Sequence, residues 1–311
     1  MTSLRIERYS EKYENMWDSF VEEVACNGSF LQEWKFLNYH KEWKFEDCSL
    51  LFFEKDKLMA VCPACVEREG KQKIFYSHKG STYGGVLIGK EWLRMQKVCS
   101  LFEEFESYLK EQGFSKCILK LTMDLLCRYP QDAIKFFLHY SGYKEITELN
   151  TYIDYSKYDQ TIWNNFSKMK KRNVRKCLQM GMELRTLQTE GEIFRFHEVL
   201  AENLMKYNVA PVHTAKEMLD LKHRLKKNIE FYGAFLEDKL LAGTMVFLFD
   251  KPMCAHTQYL AADPEYAALN PMAFIYYKMI EQYRGRQYRF LSWGGGNRAW
   301  RKNIKLEPYE Q

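Results

Sequence analysis

Proline and glycine are scarce, at 7 and 16 of 311 residues, which excludes a collagen-like repeat and a Pro/Gly-rich low-complexity chain. No run of 18 apolar residues occurs, so no segment reads as a membrane-spanning helix. The opening, MTSLRIERYSEKYENMW, has neither an apolar h-region nor a small-residue cleavage site. It is therefore not read as a secretory signal, and a cytoplasmic setting is expected. Excess charge is missing too. The net charge of +5 is mild for this length and does not by itself argue for nucleic acid, where a local concentration of charge would matter more. With 46% apolar and 28% charged residues, the composition is that of an ordinary globular protein and excludes disorder. The length suggests two domains of about 150 residues each.

Nine cysteines are present, an odd number, and several sit inside apolar runs, as in Lys116-Cys117-Ile118-Leu119 and Met253-Cys254-Ala255. Buried thiols in a reducing compartment fit that pattern. Cys62-Pro63-Ala64-Cys65 is a CxxC, but zinc needs four ligands and no second CxxC or paired His lies nearby. A thioredoxin-like motif would open a helix, whereas this one is expected to continue a strand. No metal is expected. Aromatics reach 16%, with 21 Tyr and 21 Phe, enough for two cores.

The strongest signal is internal. LLFFEKDKLMAVCPACV (50–66) and YGAFLEDKLLAGTMVFL (232–248) align at a constant offset of 182, matching Phe53, Asp56, Lys57, Leu58 and Ala60 to Phe235, Asp238, Lys239, Leu240 and Ala242. Each reads as a β-hairpin, turning at Lys55-Asp56 and at Glu237-Asp238. The flanking elements repeat as well. Helices over 11–24 and 30–39, the hairpin, strand 74–77, helix 91–111 and strand 117–121 make the first set. Helices over 192–206 and 215–227, the hairpin, strand 254–261, helix 271–283 and strand 288–293 make the second. Two copies of one α/β unit are therefore expected, residues 1–150 and 151–311. A further helix over 161–181, with Gly181 as its C′ residue, opens the second copy after a strand at 151–155.

Four stretches carry a family resemblance: SFLQEWKFLNYHK (29–41), HKGSTYGG (78–85), FSKMKKRNVRKCLQMGM (166–182) after TYIDYS (151–156), and HTQYLAADPEYAALNP (256–271). The repeated unit resembles the GNAT acyltransferase fold. The tandem arrangement resembles the group of Fem-type peptidoglycan-bridge aminoacyltransferases and related bacterial N-acetyltransferases. The fold class expected from this is α/β with mixed sheets, in two tandem GNAT-like units. The resemblance implies transfer of an acyl group to an amine, from acetyl-CoA or another acyl-CoA in one branch and from aminoacyl-tRNA in the other. Such a reaction rests on positioning and on backbone N–H groups that stabilise a tetrahedral oxyanion.

Candidate site residues follow, each with a plainer alternative. Ser81, Thr82, Tyr83 and Gly84 belong to a glycine-containing loop after a strand, which would either line an acceptor site or be a bare glycine turn. His256, Gln258 and Tyr259 lie on one strand. Alternation puts His256 and Gln258 on one face and Thr257 and Tyr259 on the other. His256 is the candidate general base, against a plain hydrogen-bonded core histidine. Gln258 and Tyr259 are candidate substrate contacts. Asn270 before Pro271 reads as an N-cap. The resemblance implies that the donor pyrophosphate rests there, although ADPEYAALNP replaces the usual Arg/Gln-x-x-Gly-x-Gly/Ala loop and Pro271 removes one N–H donor. Lys171 and Arg172 belong to six basic residues within 168–176, in a stretch with no acid from Gln160 to Met182. That run would hold a phosphorylated donor or tRNA, or be a solvated helix face. The helix over 215–227 is too short to be the long helical arm of the tRNA-dependent members.

These readings leave three functions open: an acyl-CoA-dependent N-acyltransferase acting on an amino sugar or cell-envelope precursor, a tRNA-dependent aminoacyltransferase, and a non-catalytic binding protein. The ligand is expected between the units, with Tyr83 and Gly84 on one wall and His256 or Gln258 on the other. Only 18 residues follow Trp293, too few for the final helix and hairpin of a GNAT unit. The second unit is thus expected to be incomplete, with an edge strand left exposed or covered by a partner copy in a homodimer.

Overall fold

The computed structural model describes residues 4–39, 44–158, 162–206 and 208–295. Two compact units divide between Glu145 and Ile146, with His223–Leu225 grouped with the first.

The first unit holds strands β1 (Leu4–Arg8), β2 (Glu46–Asp47), β3 (Leu50–Glu54), β4 (Lys57–Cys62), β5 (Cys65–Glu69), β6 (Gln72–Ser77), β7 (Leu87–Ile88) and β8 (Lys116–Leu119). They form two four-stranded sheets, ordered β1-β3-β4-β7 and β2-β5-β6-β8. Its helices are α1 (Glu14–Ser19), α2 (Trp34–Leu37), α3 (Met95–Glu111) and α4 (Asp132–Tyr140). The helix expected over 11–24 is a 3-10 turn, α1 and a π turn in succession. The one expected over 30–39 is shorter, because the Asp18 carboxylate accepts from the Trp34 and Lys35 N–H groups (2.6 and 3.4 Å) and so starts α2 there. Val98, Leu101, Phe102, Phe105 and Leu109 form one apolar stripe of α3, buried with Phe52, Phe75 and Phe137.

The second unit holds β9 (Asn150–Asp154), β10 (Glu183–Thr186), β11 (Ile229–Leu236), β12 (Lys239–Phe249), β13 (Cys254–Ala262) and β14 (Phe290–Gly295), in one sheet ordered β10-β11-β12-β13-β14-β9. Its helices are α5 (Lys168–Gln179), α6 (Glu190–Met205), α7 (Ala215–Arg224) and α8 (Pro271–Gly285). Ser167 caps α5, and Gly181 follows it at φ +81°. A capping box between Thr189 and Glu192 starts α6. On one face of the sheet, Phe274, Ile275, Met279 and Tyr283 of α8 are buried with Val246, Leu248, Ala255 and Leu291. Phe196 of α6 lies close enough to the sheet that a side chain at Gly243 would meet its ring at 2.3 Å.

The repeat is visible in register. In β3–β4, Phe53 pairs with Leu58 and Phe52 with Ala60, leaving Met59 as a bulge; in β11–β12, Phe235 pairs with Leu240 and Ala234 with Ala242, leaving Leu241. Both turns begin with a non-glycine residue at positive φ, Lys55 at 55° and Glu237 at 54°. The units differ in the strand after the turn. β12 runs unbroken, whereas Pro63 cannot donate to a ladder and its counterpart is cut into β4 and β5, which join different sheets. The CxxC therefore spans a strand break instead of continuing a strand. Burial pushes the Cys65 thiol up to about 11 and raises the Cys62 thiol well above its ordinary value.

The expected bare edge beside the fifth strand of the second unit is occupied. β9 pairs antiparallel with β14, from Phe290↔Asp154 to Gly295↔Asn150. The strand leading into the unit thus covers its last strand, without a partner copy. The expectation about the tail beyond Gly295 lies outside the described residues. No helix among the described residues is long and apolar enough to cross a membrane.

Left-handed backbone costs a residue with a Cβ roughly 1–2 kcal/mol. Lys55→Gly and Glu237→Gly should therefore each raise the unfolding free energy, by about 1 kcal/mol after the entropic cost of glycine. Urea unfolding of the two single variants should show gains of the same sign.

Candidate functional site

The second sheet opens at one place. β13 and β14 run parallel but share only three pairs, Cys254↔Phe290, Ala255↔Leu291 and His256↔Ser292. Past the last pair, both strands insert an extra residue. Gln258 bulges from β13, where Met245 pairs with Tyr259 and Val246 with Thr257. Trp293 bulges from β14, where Ser292 pairs with Tyr152 and Gly294 with Thr151. Bulges bend and twist strands. Beyond His256, β13 stays with β12 and β14 stays with β9, so the two strands part in a wedge.

The Gln258 bulge corrects the face assignment. His256 lies opposite Phe247 and Tyr259 opposite Met245, two β12 residues on one face, so His256 and Tyr259 share a face. His256 is buried, and its Nδ1 is 3.1 Å from the Ser292 hydroxyl. Burial pulls the imidazole down to about 4, a shift the nearby Gln258 amide opposes. The ring is neutral at physiological pH. Gly294, at φ +77°, lies beside it: a Cβ there would sit 3.3 Å from His256 Cε1. Thr257 Oγ1 donates to the Ser292 carbonyl at 3.3 Å. Tyr259 is half-buried, its carbonyl accepts from Thr244 Oγ1 at 2.8 Å, and its hydroxyl lies 2.6 Å from His213 Nδ1. Burial pushes this phenol up to about 12.

At the other candidate position, Asn270 does not cap α8. It adopts φ +59° before Pro271, and its side chain accepts from Asn173 Nδ2 and donates to the Ala268 carbonyl, both at 3.0 Å. The Cys177 thiol donates to the Leu269 carbonyl at 3.2 Å. The amide that would cap α8 instead ties its start to α5. Lys171 donates to the Asn164 carbonyl at 3.0 Å. Arg172 is exposed, as are Lys168, Lys170, Arg175 and Lys176.

In the first unit, β6 and β8 are the parallel pair in the place of β13 and β14, joined from Ile74↔Lys116 to Ser77↔Leu119. Here the loop after β6 returns along β8. Gly84 N–H donates to the Lys120 carbonyl at 2.6 Å, and Gly84 bridges Leu121 in parallel. A Cβ at Gly84 would lie 2.6 Å from the Ser77 carbonyl oxygen. The close approach that glycine permits is thus spent on the fold. Ser81 is buried, its hydroxyl has no hydrogen-bond partner among the described residues, and its carbonyl accepts from Lys120 Nζ at 3.2 Å. Thr82 and Tyr83 are half-buried. The loop residues belong to the first unit, and His256, Gln258 and Tyr259 to the second.

Sequence reasoning missed Ser292, Gly294 and His213. Gly294-Gly295-Gly296-Asn297 reads as a turn, yet Gly294 and Gly295 end β14. His213 sits in a polar connection between α6 and α7 with no periodicity to mark it. Among the described residues, no three His, Cys, Asp or Glu side chains group as a metal site.

Residues 164–302 match the family described as acetyltransferase (GNAT) domain. The chain is similar in fold to the crystal structure of FemX, with a TM-score of 0.66 at 11% identity, covering 99% of this chain and 91% of that one. L-PGS from Bacillus licheniformis gives 0.58 at 10% identity, over 93% of this chain and 77% of that one. A tandem GNAT protein from the clavulanic acid biosynthesis pathway gives 0.53 at 8% identity, over 97% and 93%. No curated protein matches the chain in sequence.

The His256 geometry predicts an acid sensitivity. With an ordinary imidazole at 6.5, the unfolded chain binds a proton as pH falls from 6.5 to 4, and the folded protein refuses it. Stability should fall through that window, by roughly 3 kcal/mol at its lower end. Chemical denaturation of wild type and His256→Asn at a series of pH values isolates this contribution: the variant should lose that much less stability between pH 6.5 and 4.

Proposed function

We propose that this chain, whose residues 164–302 match a GNAT acetyltransferase domain and whose fold is that of two GNAT-like units, is an N-acyltransferase that moves an acyl group, acetyl in the simplest case, from acyl-CoA to an amine on an amino sugar or cell-envelope precursor. The observation that carries this reading is the wedge between β13 and β14 in the second unit. A parted parallel pair leaves backbone groups unclaimed by a ladder, which suits an extended acyl donor and the oxyanion formed on it. The corresponding place in the first unit is taken by Gly84, so the donor is assigned to the second unit.

The donor phosphates would lie near Asn270, Lys171 and Arg172, because α5 is tied to the start of α8 through Asn173 and Cys177. Gln258 and Tyr259 would contact the reacting groups. His256 would take the proton that the attacking amine gives up. Its neutrality suits a base, and the Ser292 hydroxyl at Nδ1 fixes the ring. The price is low basicity, so positioning does more of the work than proton affinity. Within the first unit, Ser81, Thr82, Tyr83 and Gly84 are kept as proposed substrate contacts, with the buried Ser81 hydroxyl as the most specific feature of that loop.

A second reading, a tRNA-dependent aminoacyltransferase, is favoured by the exposed basic face of α5. Against it stands the brevity of α7, which ends at Arg224. Both readings are testable with purified protein. Thiol release from acetyl-CoA, followed over a panel of amino-sugar nucleotides, should rise above background with at least one acceptor, and His256→Ala should lower it by about 100-fold or more. Unchanged turnover in that variant removes His256 from the mechanism. Filter binding of charged tRNA that weakens steeply with salt, with no thiol release, favours the second reading. Binding of acetyl-CoA in a thermal-shift assay without turnover points to a non-catalytic ligand-binding protein.

A further inference from the structure

His213 lies outside every motif of the chain, yet its Nδ1 makes a short polar contact with a residue of the parted stretch of β13, 2.6 Å from the Tyr259 hydroxyl. Its ring is buried and stands edge-on to the Tyr259 ring, with centroids 5.6 Å apart. Its carbonyl accepts from His197 Nε2 at 3.1 Å, so α6 anchors the connection that carries it. The backbone N–H groups of Val212 and His213 and the Gln258 amide all favour negative charge on the Tyr259 oxygen, against the larger opposing effect of burial. Tyr259 follows the Gln258 bulge directly and shares a face with His256. One face at the wedge therefore presents an imidazole pushed toward its neutral form and a phenol that keeps its proton. Two groups whose environments drive them apart in this way are suited to opposite proton roles.

We propose that His213 is a positioning residue for the acyl transfer, holding the Tyr259 hydroxyl so that its proton is directed to the leaving group of the donor. This rests on the acyltransferase reading above. With the imidazole proton on Nδ1, His213 donates to the phenol oxygen and leaves the Tyr259 O–H to point elsewhere. As the amine nitrogen bonds to the acyl carbon, the C–S bond of the thioester breaks and its electron pair stays on sulfur. The sulfur takes the Tyr259 proton. The phenolate that results is held by His213 Nδ1–H and the Val212 and His213 backbone N–H groups until the proton released by the amine returns to it through solvent.

The test is a double-mutant cycle on thiol release from acetyl-CoA with the best amino-sugar acceptor, with melting temperatures recorded alongside. Tyr259→Phe and His213→Ala should each lower kcat by tenfold or more and leave KM for acetyl-CoA within about twofold. His213→Asn, which can place an amide N–H near the Nδ1 position, should recover much of the loss. The Tyr259→Phe/His213→Ala double variant should be no slower than Tyr259→Phe alone. Losses that multiply in the double variant, or wild-type kcat in folded His213→Ala and His213→Asn, overturn the proposal while the acyltransferase reading stands. Absence of thiol release by the wild-type protein removes both.

Discussion

The ladder between β13 and β14 ends at His256 and Ser292, and the chemistry proposed for the second unit depends on that ending. Two parallel strands that stayed paired would use up on each other the backbone donors and acceptors of their facing edges. Here each strand takes up one surplus residue, Gln258 and Trp293, immediately past the shared pairs. The parting is held from outside. β12 retains β13 through Thr244 and the residues beyond, and β9 retains β14 through Thr151 and Asn150. The bulge that opens the sheet also rotates Tyr259 onto the face of His256, so backbone irregularity and side-chain placement have one cause.

The two units show how one plan reaches different ends. Their hairpins share the bulge position and the left-handed turn residue. Pro63 then breaks the strand that β12 keeps whole, and the freed edge of β4 takes up β7. The loop after β6 folds back so that Gly84 continues the β6 side of the parallel pair along β8. A side chain at Gly84 would collide with the Ser77 carbonyl, so this closure depends on glycine. The first unit has thus converted an opening into packing, and the second has kept it.

What was legible in the sequence was local or periodic. Phe53, Leu58 and Ala60 and their counterparts Phe235, Leu240 and Ala242 flank the bulge in each hairpin, which is why a short match at fixed offset located a true repeat. Apolar spacing likewise located α3 and α8. What was missed needed partners distant in the chain. The wedge itself is a question of which strand β14 pairs with, and no residue between 254 and 262 announces a bulge, since HTQYLAA contains neither Gly nor Pro. Alternation therefore placed Tyr259 on the wrong face. Asn270 carries a good capping residue type, but Asn173, nearly a hundred residues earlier, claims its side chain. His213 acquires meaning only through Tyr259.

The order of strands in the second sheet also constrains how the chain reaches its fold. β14 is the last described strand to leave the ribosome, yet it is an interior strand, parallel to β13 on one side and antiparallel to β9 on the other. Until Phe290–Gly295 has been synthesised, β9 has no neighbour in the sheet and β13 has a bare edge. The growing chain must hold both open, and bare edges of that kind recruit strands from other chains. Parallel and long-range pairing is slow to form, because loop closure precedes the contacts that reward it. The nascent unit is thus most open to mispairing just before β14 emerges, when the other described strands exist and the gap between β13 and β9 is still unfilled.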